Sequence, residues 1–335
     1  MEKRNHWIKI FSLFLAMTIL LCADVSIGSV SFSFLDIVKN IFGADDSLIS
    51  TILWQFRLTK AITCILAGAA LACSGLLMQT LFRNPLAGPD VLGLSSGASL
   101  AVGMLLLLGR NFQFAASEWT LALAAGIGGA GILFMMLAVS KIVRDNASLL
   151  IIGLMLAAAT SSIMSVMQYV SRAEDLQLYV LWTMGNVGNA SWKEIGVLTI
   201  ILVFGIAVSI FLVKPLNSWL LGENYARSLG TNVDRARTWI VITTGIMTGA
   251  ITAFCGPIAF VGLAVPHLAR LILPTTNHKL LIPAVVFMGA ILLLFCDVIA
   301  QLASHTQSLP LNALTSLIGA PVVIWQVMKF KKISV

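Results

Sequence analysis

Polar positions are rare along this chain, and the distances between them set its architecture. Lys9 and Asp24 enclose 14 uncharged residues, Lys60 and Arg83 enclose 22, and Asp90 and Arg110 enclose 19. Glu118 and Lys141 enclose 22, Asp145 and Arg172 enclose 26, and Glu194 and Lys214 enclose 19. A helix needs about 20 residues to cross the hydrocarbon layer of a bilayer. Each block therefore predicts one membrane-spanning helix. The 32 uncharged residues between Arg237 and Arg270 are too many for one crossing, and Gly256-Pro257 divides them into a span and a shorter helix. A ninth span begins at Lys279, and a tenth follows the turn at Ser308-Leu309-Pro310. The expectation is an all-α membrane protein of about ten transmembrane helices, a single permease-like domain over 1–335.

Composition agrees with the pattern. The chain is 59% apolar and 10% charged, whereas soluble domains carry about a quarter charged residues. The net charge of +7 is scattered between apolar blocks, with no basic face interleaved with aromatics, which excludes nucleic acid as a partner. Lys3, Arg4 and Lys9 ahead of an apolar run mimic a signal peptide, but no small-x-small cleavage site stands out after it and many spans follow, so this segment reads as the first span. An even number of spans puts both termini on one side. With the termini inside, the inner segments hold fifteen Lys and Arg and the outer ones six, which satisfies the positive-inside rule. Cys22, Cys64, Cys73, Cys255 and Cys296 all lie in apolar blocks without metal-ligand spacing and read as free thiols.

Some segments carry more than lipid-facing bulk. Arg83-Asn84-Pro85-Leu86-Ala87-Gly88-Pro89-Asp90 joins spans two and three, and reads either as a rigid turn or as the inner mouth of a pathway. Asp90 is placed to accept backbone N–H bonds at the next helix start. The longest polar inner stretch, 214–237, contains Glu223 and Arg227 at i,i+4 spacing, with Gly230 as a helix stop and Asn232 or Asp234 as the next start. It reads as a short amphipathic helix that docks a soluble partner, with simple loop packing as the rival. On the outer side, Asp36, Asp45, Asp46, Arg57 and Lys60 flank the first loop, and Arg172, Glu174 and Asp175 open a loop long enough for a short re-entrant or surface helix. Arg57 and Lys60 either meet acidic groups of an extracytoplasmic protein or anchor at headgroups.

Asp297 interrupts a span. With no second buried acid evident, it reads as lying at an outer helix end or in a structural hydrogen bond rather than on an ion path. His267 reads as a packing donor, and Arg270 as a residue snorkelling at an inner helix end. Gly68-Ala69-x-x-Ala72-x-x-Gly75 recurs as Gly249-Ala250-x-x-Ala253-x-x-Gly256, either a faint internal repeat or coincidence in a glycine-rich chain. There is no phosphate loop and no His-Glu-x-x-His, and the four His residues form no ligand pattern. A pump without a phosphate loop needs an energy source in a partner or an ion gradient.

Four ordered blocks give the chain a family resemblance. They are Gly68-Ala69-x-Leu71-Ala72-x-Ser74-Gly75-x-x-x-Gln79-x-x-x-Arg83-Asn84-Pro85-Leu86-Ala87-x-Pro89-Asp90-x-Leu92-Gly93-x-x-x-Gly97-Ala98, Leu221-Gly222-Glu223-x-x-Ala226-Arg227-Ser228-Leu229-Gly230, Gly256-Pro257-Ile258-x-Phe260-Val261-Gly262-Leu263-x-Val265-Pro266-His267-x-Ala269-Arg270, and Leu309-Pro310-x-Asn312-x-x-Thr315-x-x-Ile318-Gly319-Ala320-Pro321. From about Trp7 to Lys329 the chain resembles the iron-siderophore, haem and cobalamin permeases of ABC importers, the type II class. The resemblance implies a subunit that binds no cofactor itself, paired with a second permease copy. Two cytoplasmic ATPase subunits would hold ATP and Mg, and a substrate-binding protein would dock outside.

In that picture Gly222, Glu223, Ala226, Arg227, Ser228, Leu229 and Gly230 form a coupling helix in the ATPase cleft. Arg57 and Lys60 match two docking arginines, and Gln301 stands where the family often has a third basic residue. Gln79, Arg83, Asn84, Pro85, Pro89, Asp90, Gly93 and Gly97 would shape the pathway, with Gly256, Pro257, Pro266, His267 and Arg270 structural. The outer ends of spans two and ten and the helix after span five would frame the substrate's way in. Ferric siderophore is the broadest substrate expectation. Cobalamin or haem is the alternative, and an ion-coupled secondary transporter the rival class. The location implied is a bacterial cytoplasmic membrane.

Overall fold

A computed structural model of the chain describes residues 2–28, 48–108, 117–143, 145–303 and 309–331. Asp36, Asp45, Asp46, Arg110 and Ser308, used in the sequence reading, lie outside the described residues. Among those described there is no strand. The helices are α1 (Glu2–Ser26), α2 (Leu58–Phe82), α3 (Leu94–Gly103), α4 (Glu118–Ile142), α5 (Asn146–Val170), α6 (Ala173–Thr183), α7 (Trp192–Phe211), α8 (Val213–Trp219), α9 (Glu223–Ser228), α10 (Val233–Cys255), α11 (Val261–Ile272), α12 (His278–Ala303) and α13 (Leu311–Lys331). A short helix and a π turn, Leu53–Arg57, run directly into α2, and another π turn, Met104–Leu108, extends α3.

Among the described residues seven helical runs are long and apolar enough to cross a bilayer, and Leu94–Leu108, α11 and the Leu311–Gln326 part of α13 are shorter apolar stretches. The seven and the three shorter ones stand where the ten spans were expected. Helix starts follow local chemistry. Ser117, Asp145 and Asn232 each accept a backbone N–H from three residues on, capping α4, α5 and α10. Ser191 and Glu194 close a capping box on α7. The loop after span five holds a short helix, α6. Gly256, at φ 72, ends α10 where the Gly-Pro break was expected.

The layout is built around α2, whose apolar window is 89% buried, against 22% to 33% for α1, α4, α5 and α7. It packs on α10, α11 and α12. Two glycine pairs set the closest approaches. A Cβ on Gly68 would strike the backbone carbonyl of Gly289 in α12, and one on Gly75 would strike that of Gly262 in α11. Pro266 explains the second case. It has no N–H for the carbonyl four residues earlier, so the Gly262 carbonyl is left to face α2. Small residues pack helices where no hydrophobic force acts between them.

The two occurrences of the Gly-Ala pattern have different surroundings. Gly75 lies inside α2 against backbone, whereas Gly256 lies beyond the end of α10, and Gly249 has open space around it.

Exposed apolar side chains ring the peripheral helices. They include Phe11 and Ile19 on α1, Ile127 and Phe134 on α4, Met155 and Val166 on α5, and Ile200 and Phe211 on α7. In water such a surface would be an aggregation hazard, whereas in hydrocarbon it is solvated.

Candidate functional site

Charged and polar side chains gather at the two ends of the bundle. One end holds the turn from α2 to α3. Helix α2 closes on Arg83 in the left-handed region, φ 48, whose N–H turns back to Gln79 and Thr80. Asn84 then accepts the Leu86 N–H on its side chain, 2.9 Å. Pro89 opens a 3-10 turn that ends on Gly93 at φ 74. Among the described residues no backbone N–H bonds to the Asp90 carboxylate. Its Oδ1 accepts the Ser95 hydroxyl instead, 2.6 Å, because the intervening 3-10 turn carries the helix start past it. Burial pushes the Asp90 carboxyl up, with the Ser95 bond acting the other way. Gly97 lies against Gly128 of α4.

This turn is braced against α11. His267 Nε2 donates to the Pro85 carbonyl, 2.8 Å. Arg270 Nη1 donates to Gln79 Oε1, 2.8 Å, and Gln79 Nε2 donates to the Leu263 carbonyl, 3.1 Å. Arg270 was expected to snorkel outward; it turns inward because Gln79, one turn beyond Gly75, offers a buried acceptor. A second brace went unnoticed in the sequence. Asn217 Oδ1 accepts from the His278 backbone N–H, 3.0 Å, so it also accepts from Nδ1 of the same residue, 2.8 Å. Nε2 then meets the Thr80 hydroxyl, 2.8 Å.

Helix α9 sits at the same end, and Arg83 Nη1 comes within 3.8 Å of where a Cβ would stand on Gly222. Glu223 and Arg227 pair at 3.0 Å as their spacing predicted. Arg227 also reaches Asp234, 3.2 Å, and Arg237, 4% exposed at its side chain, reaches Glu223, 3.2 Å. Hydrogen bonds donated to both acids hold the Arg227 guanidinium above its ordinary pKa. Ala226 is buried, while Tyr225 and Leu229 are exposed. Ser228 closes the last turn by donating to the Tyr225 carbonyl, 2.8 Å. Gly230, at φ 79, ends the segment. Four charges on three turns thus fasten a short helix to the root of α10 and leave its outer face bare.

The opposite end holds the three residues matched to docking. Arg57 Nη1 donates to the Val25 and Ser26 carbonyls, 2.8 and 3.2 Å, closing the C-terminus of α1. Lys60 Nζ pairs with Asp297 at 2.8 Å. Gln301 Nε2 donates to Asp297 Oδ2, 2.8 Å, and to Asp24 Oδ1, 2.7 Å. Lys60 and Gln301 are therefore engaged inside the subunit, and Asp297 is the structural hydrogen-bonding group that was expected. The second buried acid, judged absent from the sequence, is Asp24, 2% exposed like Asp297. A charge near the end of span one was its only signal.

Beside this cluster a vestibule of about 440 Å³ opens between the α6 end, the 185–189 loop, the α10 end and the α13 start. Lys60, Glu118, Glu194 and Asp297 give it charge, and Trp182 and Phe254 give it apolar wall. Asn312 fixes the rim. Its Oδ1 accepts from Ala259 N, 3.0 Å, and its backbone N donates to the Met184 carbonyl, 3.2 Å. Gly256 and Pro257 form the neighbouring loop, with the Asn186 N–H on the Cys255 carbonyl, 2.8 Å. The parts expected to frame the substrate's way in thus meet around one cavity. Among the described residues no group of three or more His, Cys, Asp or Glu could hold a metal.

Residues 15–329 match the FecCD transport family. The vitamin B12 import system permease protein BtuC of Salmonella typhi is 38% identical over 279 residues, covering 82% of this chain and 83% of that protein. The counterpart from Salmonella arizonae is 37% identical, covering 82% of each. Among solved structures, one described as an inward-facing metal-chelate type ABC transporter superposes with a TM-score of 0.84 at 28% identity, over 96% of this chain and 98% of that one. PsaBC from Streptococcus pneumoniae is similar in fold only, with a TM-score of 0.51 at 11% identity, over 86% of this chain and 94% of that one.

Proposed function

The chain belongs to the FecCD transport family and has the type II ABC importer permease fold, a transport subunit rather than a catalytic one, and we propose that its cargo is cobalamin. The observation that carries this reading is the 38% identity to vitamin B12 import permeases across 82% of the chain. Motif resemblance alone favours ferric siderophore, and the relatives move the substrate to the corrinoid. Ferric siderophore import stays as the second reading, supported by the metal-chelate type transporter of the same fold.

In this reading two copies of the permease enclose the pathway, two ATPase subunits sit beneath them, and a binding protein delivers substrate from outside. Both termini are cytoplasmic, and 1–335 act as one permease domain. The segment 214–237 is the coupling region, with α9 in the ATPase cleft. Supporting this is the bare outer face of α9 on a charge-fastened base. A helix held at its root transmits a push to α10 through Arg237 and to the α2–α3 turn through Arg83. That turn, with Gln79, Arg83, Asn84, Pro85, Pro89, Asp90, Gly93 and Gly97, forms the inner gate. Pro266, His267 and Arg270 brace it from α11. Arg57, Lys60 and Gln301 mark the docking corner. Arg57 is the member nearest the surface, and Lys60 and Gln301 shape the floor beneath it. ATP binding and hydrolysis in the partners alternate access between the two ends.

The test is ATP-dependent uptake in proteoliposomes holding this chain with its ATPase and binding protein, offered cobalamin, ferric siderophore and haem in parallel. Cobalamin uptake that stops without ATP is expected. Uptake of siderophore alone would overturn the substrate, and uptake without any ATPase would overturn the pump.

A further inference from the structure

Near the coupling helix an open cleft of about 770 Å³ lies between α8, the turn after α9 and the start of α10. Lys214 and Arg235 line it together with Asn217, Asn232 and Trp239, and no Asp or Glu does. The acids of this region are committed elsewhere: Glu223 to Arg227 and Arg237, and Asp234 to Arg227. Lys214 and Arg235 are exposed. Among the described residues neither side chain makes an ion pair or hydrogen bond. The region is divided into a neutralised patch under the coupling helix and a cationic cleft beside it. Two like charges sharing one cleft favour an anion between them.

The depth of the cleft decides which anion. Lys214 stands three residues past Phe211, the end of the apolar run of α7, and Ile210 and Phe211 there are 59% and 84% exposed. Trp239, on the second turn of α10, is 48% exposed. Lys, Arg and Trp together mark the boundary between hydrocarbon and water. An occupant must therefore offer negative charge to the cleft and apolar chain to the helix beside it. An acidic protein segment supplies the first and not the second.

We propose that this cleft binds an anionic phospholipid, with its phosphodiester between Lys214 and Arg235 and an acyl chain along Ile210 and Phe211. The cytoplasmic leaflet follows from the orientation given above, whereas the charge argument holds in either leaflet. Basic pockets among transmembrane helices recognise anionic headgroups, and a Lys or Arg near an anionic membrane surface contributes about 1 kcal/mol, so loss of both cations corresponds to roughly 30-fold weaker binding.

The experiment is native mass spectrometry of the whole transporter, ATPase subunits included, titrated with phosphatidylglycerol or phosphatidylcholine. It compares the natural chain, Lys214→Gln/Arg235→Gln and the charge-preserving Lys214→Arg/Arg235→Lys. Phosphatidylglycerol should bind the natural and charge-preserving forms and bind the neutralised form on the order of 30-fold more weakly. Equal binding to all three forms, or equal binding of phosphatidylcholine, overturns the proposal. Displacement by inorganic phosphate at millimolar concentration marks a free-anion site and overturns it as well. Binding seen only after the ATPase subunits are removed assigns the cleft to protein contact instead.

Discussion

The buried pair between Lys60 and Asp297 offers a sharp energetic test. Lys60→Met keeps most of the side-chain length and removes the ammonium that Asp297 holds at 2.8 Å. Asp24 and Asp297, each 2% exposed and hydrogen-bonded to each other as well as to Gln301, are then left with no ammonium beside them. Breaking a buried pair costs about 3–5 kcal/mol because the remaining charge is stranded. The Lys60 side chain is 20% exposed, so solvent softens the loss, and the low end of that range, about 3 kcal/mol, applies. Neutralising the stranded partner should recover most of it: Lys60→Met/Asp297→Asn keeps an acceptor for Gln301 without the charge. The assay is thermal unfolding of the purified protein in detergent, read as a double-mutant cycle. The single variant should fall well below the natural protein and the double variant should return toward it. A Lys60→Met protein as stable as the natural one would refute the reasoning, as would a double variant whose loss equals the sum of the two single losses.

Three further outcomes follow from other contacts. Gly75→Val drives a side chain onto the Gly262 carbonyl and should cost about 3 kcal/mol or prevent folding, whereas Gly249→Ala, with nothing within 4 Å, should leave monodisperse yield unchanged. Asn217→Ala strips the acceptor from the Nδ1 and backbone N–H of His278, which is 1% exposed, and should cost about 1–3 kcal/mol in thermal unfolding. Bonds from Ser148 hold the exposed Asp145 carboxylate below its usual pKa. A depressed carboxylate stabilises the fold above its unfolded pKa, and that contribution fades as pH falls through the folded value. Hydrogen exchange at the first turn of α5, corrected for intrinsic rates, should therefore quicken on acidification below about pH 4 in the natural chain and lose that dependence in Asp145→Ala.

The spans were legible because each is a local property: enough apolar residues in a row, a cap before and a break after. Gly256-Pro257, Gly230 and Asn232 each act where the sequence put them. Pairing was not local. Asp24 and Gln301 are 277 positions apart, and neither residue carries a sign of the other. Arg270 looked like a snorkelling cation because its acceptor, Gln79, lies 191 positions away on another helix. At the coupling end the i,i+4 pair was readable, and the third partner, Arg237, was not, since it joins from the next helix. Resemblance pointed to Arg57, Lys60 and Gln301 but said nothing of the acids that hold the last two inward.

Glycine meeting carbonyl at both Gly68 and Gly75 has a mechanical meaning. Helices held apart by full side chains can slide by trading one groove for the next. Helices meshed at bare backbone have no neighbouring notch, since a shift of one residue puts a side chain where only hydrogen fits. α2, α11 and α12 therefore behave as a single lever, and whatever opens either end of the channel must swing that lever whole, on joints such as the loop at 256–260.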